Sequence, residues 1–441
     1  MRTSQARGTR LTLKTKMTIT DIQGNPVSGA NASALDHFEQ ANHSLRCFVG
    51  DPLSLAQQAI AQAPGMTMAH ALLAWLYLLG TEPAGRTLAC QVLQAAHKLP
   101  ANEREAAHLA ALEHLVHGRW QASGQSLEDL SMRWPHDTLA LQVGHQIDFL
   151  TGNSRMLRDR IARALPFWQI DRPAYHAVLG MYAFGLEETG DYALADRYGQ
   201  QAVALERRDG WAWHAVAHVC EMQERRQDGI AWLENDSAAW TEGSFFKVHN
   251  WWHLALFYLG VGDINRVLTL VDTQIMQGNS SVVFDMIDAS ALLWRLHLRG
   301  VDVGDRWQAL AGRWLPIIEN SHYAFNDMHA MMALVGAGRD GDAQRLMSAQ
   351  QTALKSEDDN SAFLGEVGLA ATQAIHAFAQ ARYTETVQLL RPVRRHAHRF
   401  GGSHAQRDVI DLTLIEAAAR DGQKLLADAL RSERTSAQLV I

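Results

Sequence analysis

The stretch His176-Ala-Val-Leu-Gly-Met-Tyr-Ala-Phe-Gly-Leu-Glu-Glu-Thr-Gly190-Asp-Tyr192, followed two residues on by Ala195-Asp-Arg-Tyr-Gly-Gln-Gln-Ala202-Val-Ala-Leu-Glu206, decides how this chain folds. In both halves apolar residues recur at i, i+3, i+4 and i+7, the period of an amphipathic helix. Gly190-Asp191-Tyr192 interrupts that period and supplies a tight turn. Small residues, Gly and Ala, stand where two helices would touch and let them approach closely. The unit therefore reads as helix, turn, helix.

The same grammar runs outward in both directions. Turn signals stand at His117-Gly118, Thr151-Gly152, Arg226-Gln227-Asp228-Gly229, Val261-Gly262, Arg299-Gly300, Gly338-Arg339-Asp340-Gly341, Ala381-Arg382-Tyr383 and Arg420-Asp421-Gly422. They fall roughly 34 to 43 residues apart, a spacing typical of helical solenoids. The chain has only 10 Pro and few alternating runs of the β type. These features predict an all-α protein, an α-α superhelix of divergent tetratricopeptide-like helix-turn-helix repeats, right-handed and with no substantial sheet. Leu179-Gly180, Tyr182, Ala195 and Ala202 follow the tetratricopeptide pattern best. The expected organisation is a flexible N-terminal tail over 1–32, one solenoid over 33–432 and a C-terminal tail over 433–441.

The 441 residues are 47% hydrophobic and 20% charged, enough for an extensive core, with a net charge of −7. That balance, with no basic block, argues against nucleic acid as a partner. No apolar run reaches the length of a membrane span. Cys47, Cys90 and Cys220 are isolated, which fits neither a disulfide framework nor a cysteine-based zinc site. A reducing, cytoplasmic compartment follows. The first 16 residues carry Arg2, Arg7, Arg10, Lys14 and Lys16 and no acid. They read as an extension ahead of a start at Met17, with a transit-type segment as the alternative.

The chemistry concentrates between Trp211 and His253, where two His-x-x-x-His pairs fall on two predicted helices. Residues four apart share a helix face, so His214 pairs with His218, and His249 with His253. Glu221 lies on the same helix as the first pair, and Asp285 and Asp288 follow one repeat later. These seven are the candidate catalytic residues. The four histidines are also a candidate ligand set for a divalent transition metal, which imidazole and carboxylate suit. The His-Glu-x-x-His signature is absent. The same residues also fit a polar network that orients a ligand, or one that keeps repeats in register. Asn326, His329, His404, Arg407, Asp408, Trp252 and Tyr323 are the candidate ligand-binding residues. Ser403 reads as a helix cap after a flexible Gly401-Gly402 turn, with His404, Arg407 and Asp408 on one face to hold an anion. Ser290 and Ser403 lack the pattern that marks a nucleophile. All of these lie on the first helices of their repeats, so one polar, His-rich lumen is expected.

His214-Ala-Val-Ala-His218, His249-Asn-Trp-Trp-His253, Asp285-Met-Ile-Asp288, Phe325-Asn326-Asp327-Met-His329 and Gly401-Gly-Ser-His404-Ala-Gln-Arg407-Asp408 occur in order over most of the chain. Together they resemble the tetratricopeptide repeat protein 38 family. The resemblance implies a tetratricopeptide-like superhelix inside the cell and assigns no reaction. The residues themselves favour a pocket that binds and transforms a small polar molecule, by hydrolase or lyase chemistry. The other reading is a scaffold that holds a peptide segment of a partner. The oligomeric state is left open, a homodimer included.

Overall fold

The structure is a computed structural model that describes residues 19–439. Its regular elements are helices. Among the described residues the extended pairings are two isolated bridges, Thr20 with Pro26 and Val49 with Ser244. No described helix is long and apolar enough to cross a membrane.

The helices alternate between an inner and an outer layer, and burial separates the two. Helix Gly210–Met222 buries 11 of its 13 residues. Its predecessor Tyr192–Leu205 buries Ala195, Gly199, Ala202 and Val203 and leaves the rest of its 14 residues to solvent or partial cover. The inner helices also include Thr138–Leu150, Tyr175–Glu187, Lys247–Val261, Val283–Leu298, Ala324–Gly336 and His404–Arg420. Each was a predicted first helix of a repeat, so the segregation of polar residues onto first helices is a segregation onto the inner layer.

Local chemistry sets many of the boundaries. Asp137, Asp209 and Asp263 each accept a hydrogen bond from a backbone N–H in the first turn of the following helix. Ser403 and Gln406 form a reciprocal capping box. Most turn glycines adopt the left-handed backbone expected of them, among them Gly190, Gly262 and Gly300. Gly229 is different. It lies inside helix Arg226–Asn235, and a Cβ there would sit 2.4 Å from the Phe257 ring. The turn itself falls earlier, at Glu224 with φ 52°. Gly229 is thus a packing glycine, not a turn.

The superhelix does not leave an open groove; it closes on itself. Tyr323 donates its hydroxyl hydrogen to Leu150 O at 2.7 Å, and Asn326 Nδ2 donates to Thr81 Oγ1 at 3.2 Å. Trp294 Nε1 donates to Thr413 Oγ1 at 2.9 Å, and Arg295 Nη2 to Ala405 O at 2.7 Å. Gly401 is required here: at φ 89° its absent Cβ would fall 1.9 Å from the Tyr323 hydroxyl. The Gly-Gly step is therefore a close-packed seam, which corrects the expectation of a flexible turn.

Both ends differ from expectation. Residues 19–31 are packed rather than loose: Gln23 Nε2 donates to Pro173 O, and Ser28 N donates to the Glu105 carboxylate. At the other end helix Lys424–Leu439 runs through most of the expected tail. The basic segment before Met17 lies outside the described residues.

Candidate functional site

Helices Gly210–Met222 and Lys247–Val261 lie side by side in the inner layer, and their histidines interlock. His214 and His218 face His249 and His253, and one ring nitrogen from each of the four lies within 4.8 Å of the others. His214 Nε2 stands 3.1 Å from His249 Nε2. His249 Nδ1 donates to the Asp288 carboxylate at 2.9 Å, which fixes the tautomer and leaves Nε2 with its lone pair toward the cluster. His218 Nδ1 lies 3.4 Å from Glu187 Oε2. Each His-x-x-x-His pair therefore has one carboxylate behind it.

His214, His218 and His253 are buried. Burial holds the His214, His218 and His253 rings below the usual imidazole range, His218 at about 3. Neighbouring imidazoles push His214 and His253 further down. The rings are neutral, the form that binds metal. Five of their nitrogens find no hydrogen-bond partner in the protein: Nδ1 of His214 and both nitrogens of His218 and of His253. Both Glu187 oxygens are in the same position. An unsatisfied buried polar group costs roughly 1–3 kcal/mol. Five such atoms in one cluster stand out against interiors where roughly nine in ten buried polar groups are paired. Register-keeping alone is a poor account of such a cluster. A divalent cation would take one nitrogen from each ring, and the Asp288 carboxylate behind His249 would offset part of its charge.

Two of the four histidines, His214 and His249, line a cavity of about 390 Å³, with His218 and His253 buried behind them. Phe48, Phe149, Trp211, Phe246 and Phe284 wall it, and His214, His249, Asp285 and Asp288 supply its polar end. Gln146 also lines it, and its Oε1 is buried without a partner. Burial raises the Asp285 carboxyl to about 6, with Asp288 adding to the rise. The lumen was expected to be polar. It is mainly aromatic, because the inner helices bring apolar side chains together above the histidines.

Several expected site residues lie elsewhere. Glu221, His404, Arg407 and Asp408 line a second, charged cleft of about 780 Å³. There Glu188 already occupies the cations: it accepts from His404 N at 2.8 Å and lies 3.2 Å from His404 Nδ1 and 3.5 Å from Arg407 Nη2. Asp408 pairs with Arg434 at 2.7 Å. His404 and Arg407 thus hold an internal carboxylate and not a ligand of the histidine cavity. Asn326 and Tyr323 make the closing bonds described above. His329 donates from Nδ1 to Phe325 O at 2.8 Å in the core. Trp252 is buried under His249, rings stacked at 5.3 Å. Ser290 donates to Met286 O and accepts from Trp314 Nε1. The single lumen expected from the sequence is therefore two cavities with no lining residue in common.

Glu187 and Glu188 were not foreseen. They sit next to the Thr189-Gly190 turn, yet both are buried. Burial and the adjacent Glu188 drive the Glu187 carboxyl up. For Glu188 burial works the same way, but His404 and Arg407 outweigh it and hold that carboxyl down. Their signal in the sequence was position: they end an otherwise apolar inner helix.

No family model matches the chain. Among solved structures it is similar to the human IFIT1 dimer with m7Gppp-AAAA, at 13% identity and a TM-score of 0.42, over 92% of this chain and 95% of that one. The exclusion of nucleic acid is corrected by this finding. That structure was solved with a nucleic-acid ligand, and the exclusion is withdrawn. That ligand is IFIT1's, and a likeness of this size says nothing about what this chain binds. The tetratricopeptide-like superhelix stands on the alternating helices themselves.

Proposed function

We propose that this chain is a helical-repeat protein that holds one divalent transition-metal ion between His214, His218, His249 and His253. The ion faces a small molecule bound in the aromatic cavity above. The observation that carries this reading is the buried four-histidine cluster with unpartnered nitrogens and a carboxylate behind each pair. The cavity selects a ligand with an apolar body against Phe48, Phe149 and Trp211 and one polar end, such as an amide or ester, toward His249 and Asp285. A bound ion would act there as a Lewis acid toward a carbonyl or water. Asp288 orients His249, Asp285 is placed to move a proton at the polar end, and the aromatic walls exclude water. Hydrolase or lyase chemistry fits this arrangement. The resemblance to the tetratricopeptide repeat protein 38 family and the cytoplasmic assignment are compatible with it and add no reaction.

The test is metal content of untagged protein purified without chelator, followed by hydrolysis of a panel of neutral aryl amides and esters. One ion per four-histidine site and chelator-sensitive turnover are expected. A folded protein whose metal content is unchanged by His253→Ala would reject the reading. The second reading is a scaffold that seats a partner's peptide side chain. The apolar rim supports it, since Phe245 and Val282 line the cavity yet are 45% and 47% exposed. Metal-independent peptide binding would favour it.

A further inference from the structure

We propose a second metal site, separate from the four histidines, formed by His43, Cys47 and His176 and suited to a thiophilic divalent ion such as zinc. His43 and Cys47 lie one turn apart on helix Ala32–Cys47 and so share a face. Cys47 Sγ is 3.9 Å from His43 Nδ1. His176 enters from the start of helix Tyr175–Glu187, its ring centroid 6.5 Å from that of His43. One donor atom from each of the three lies within 4.8 Å of the others. Tetrahedral zinc, with bonds near 2.3 Å to sulfur and 2.0 Å to nitrogen, needs donors roughly 3.3–3.6 Å apart. The sulfur–nitrogen pair at 3.9 Å is already close to that, and a contraction of at most about 1.5 Å closes the rest.

The independent observation is the orientation of His176. Its Nδ1 donates to Asp209 Oδ2 at 2.8 Å, which leaves Nε2 as a lone pair. A carboxylate fixing a histidine this way is the usual support of a metal ligand. Asp209 is fully buried, Cys47 is fully buried and His176 is nearly so, whereas His43 is exposed. An ion would thus be held from below and remain open to solvent at its fourth position. Asp209 and Glu206 supply negative charge nearby, and Arg46 and Arg208 oppose it. A thiolate is therefore needed to make the site attractive to a dication. Binding breaks the Cys47 S–H bond, forms a sulfur–metal bond and releases one proton to solvent.

This site differs from the four-histidine cluster in chemistry, and the difference gives the test. Full-length untagged protein is stripped with chelator and titrated with cobalt(II) alone. Thiolate-to-cobalt charge-transfer absorption is expected in the near ultraviolet, in the unaltered protein and in His253→Ala. It should vanish in Cys47→Ala. The exposed His43→Ala change, which does not threaten the core, should weaken cobalt binding at this band about tenfold or more. Total bound cobalt should fall by one ion in Cys47→Ala. A band that survives Cys47→Ala, or folded protein that shows no band in the unaltered chain, overturns the proposal. If Cys47→Ala does not fold, an unchanged titration in His43→Ala does the same.

Discussion

A ring nitrogen deep in a protein has two ways to lower its free energy, a hydrogen-bond partner or a cation. His249 has Asp288 on one nitrogen, whereas both nitrogens of His253 have neither. Replacing Asp288 with Asn should therefore weaken metal binding 10- to 100-fold, the range typical for loss of a ligand's supporting carboxylate. The fold should persist. Isothermal titration of the stripped protein measures the affinity, and an unchanged affinity would remove Asp288 from the centre. His253→Ala should abolish binding at the four-histidine site and leave the melting temperature of the metal-free protein unchanged or raised, because it removes two unsatisfied nitrogens. Asp327 gives a different test. It accepts from Ser321 and Gln350, and burial lifts its carboxyl to about 7 against those bonds. Between roughly pH 4 and 7 the folded chain keeps a proton that the unfolded chain has lost, so stability falls as pH rises. The stability present at low pH and lost through neutrality is on the order of 4 kcal/mol. Asp327→Asn should flatten that fall: parent and variant differ least below about pH 4, and the variant gains on the parent steadily up to about pH 8.

At the scale of the helix, the capping aspartates differ in what else they hold. Asp51 caps Pro52–Gln62 at the surface and bonds Ser54 N. Asp137 caps Thr138–Leu150 and also takes Arg104 Nη1 at 2.8 Å and His108 Nε2 at 3.0 Å, all buried. Asp51→Ala should cost about 1 kcal/mol. Asp137→Ala should cost about 3–5 kcal/mol, because it strands the buried Arg104 charge. Equal losses in denaturant melts would reject that distinction. The same scale shows what the sequence made legible. Helix period, turn glycines and the i, i+4 pairing of the histidines are local, and local chemistry fixes them. His214, His218, His249 and His253 come together for that reason. Which distant inner helix packs against which is set by closure of the superhelix, and no short window of sequence carries it. Asn326, Tyr323 and Arg407 were therefore assigned to a lumen when they serve the seams. Glu187 and Glu188 were missed because a turn residue and a buried residue look alike when the neighbour across the gap lies 216 positions away, as His404 does from Glu188.

The whole molecule behaves as a ring of helices and not as an open stack. In an open stack each repeat touches only its neighbours, and losing the last one costs one interface. Here helix His404–Arg420 caps the Trp294 and Arg295 side chains and pairs with Glu188. Deleting residues 404–441 should therefore abolish the single cooperative melt and expose the centre to hydrogen exchange. A truncated chain that keeps a sharp transition would show that the closing bonds are dispensable.

The seam between Tyr323 and Leu150 also sets a timetable for synthesis. The two residues are 173 positions apart. At ribosomal speeds of about 5–20 residues per second, the carbonyl emerges roughly 10 to 35 s before the hydroxyl that will meet it. At the start of that interval Phe48 and Phe149 have left the ribosome, while the cavity-lining Phe284, Ser403 and Gln406 are still to come. Nascent chains of this protein are thus natural clients for a chaperone that shields apolar surface until the second half arrives.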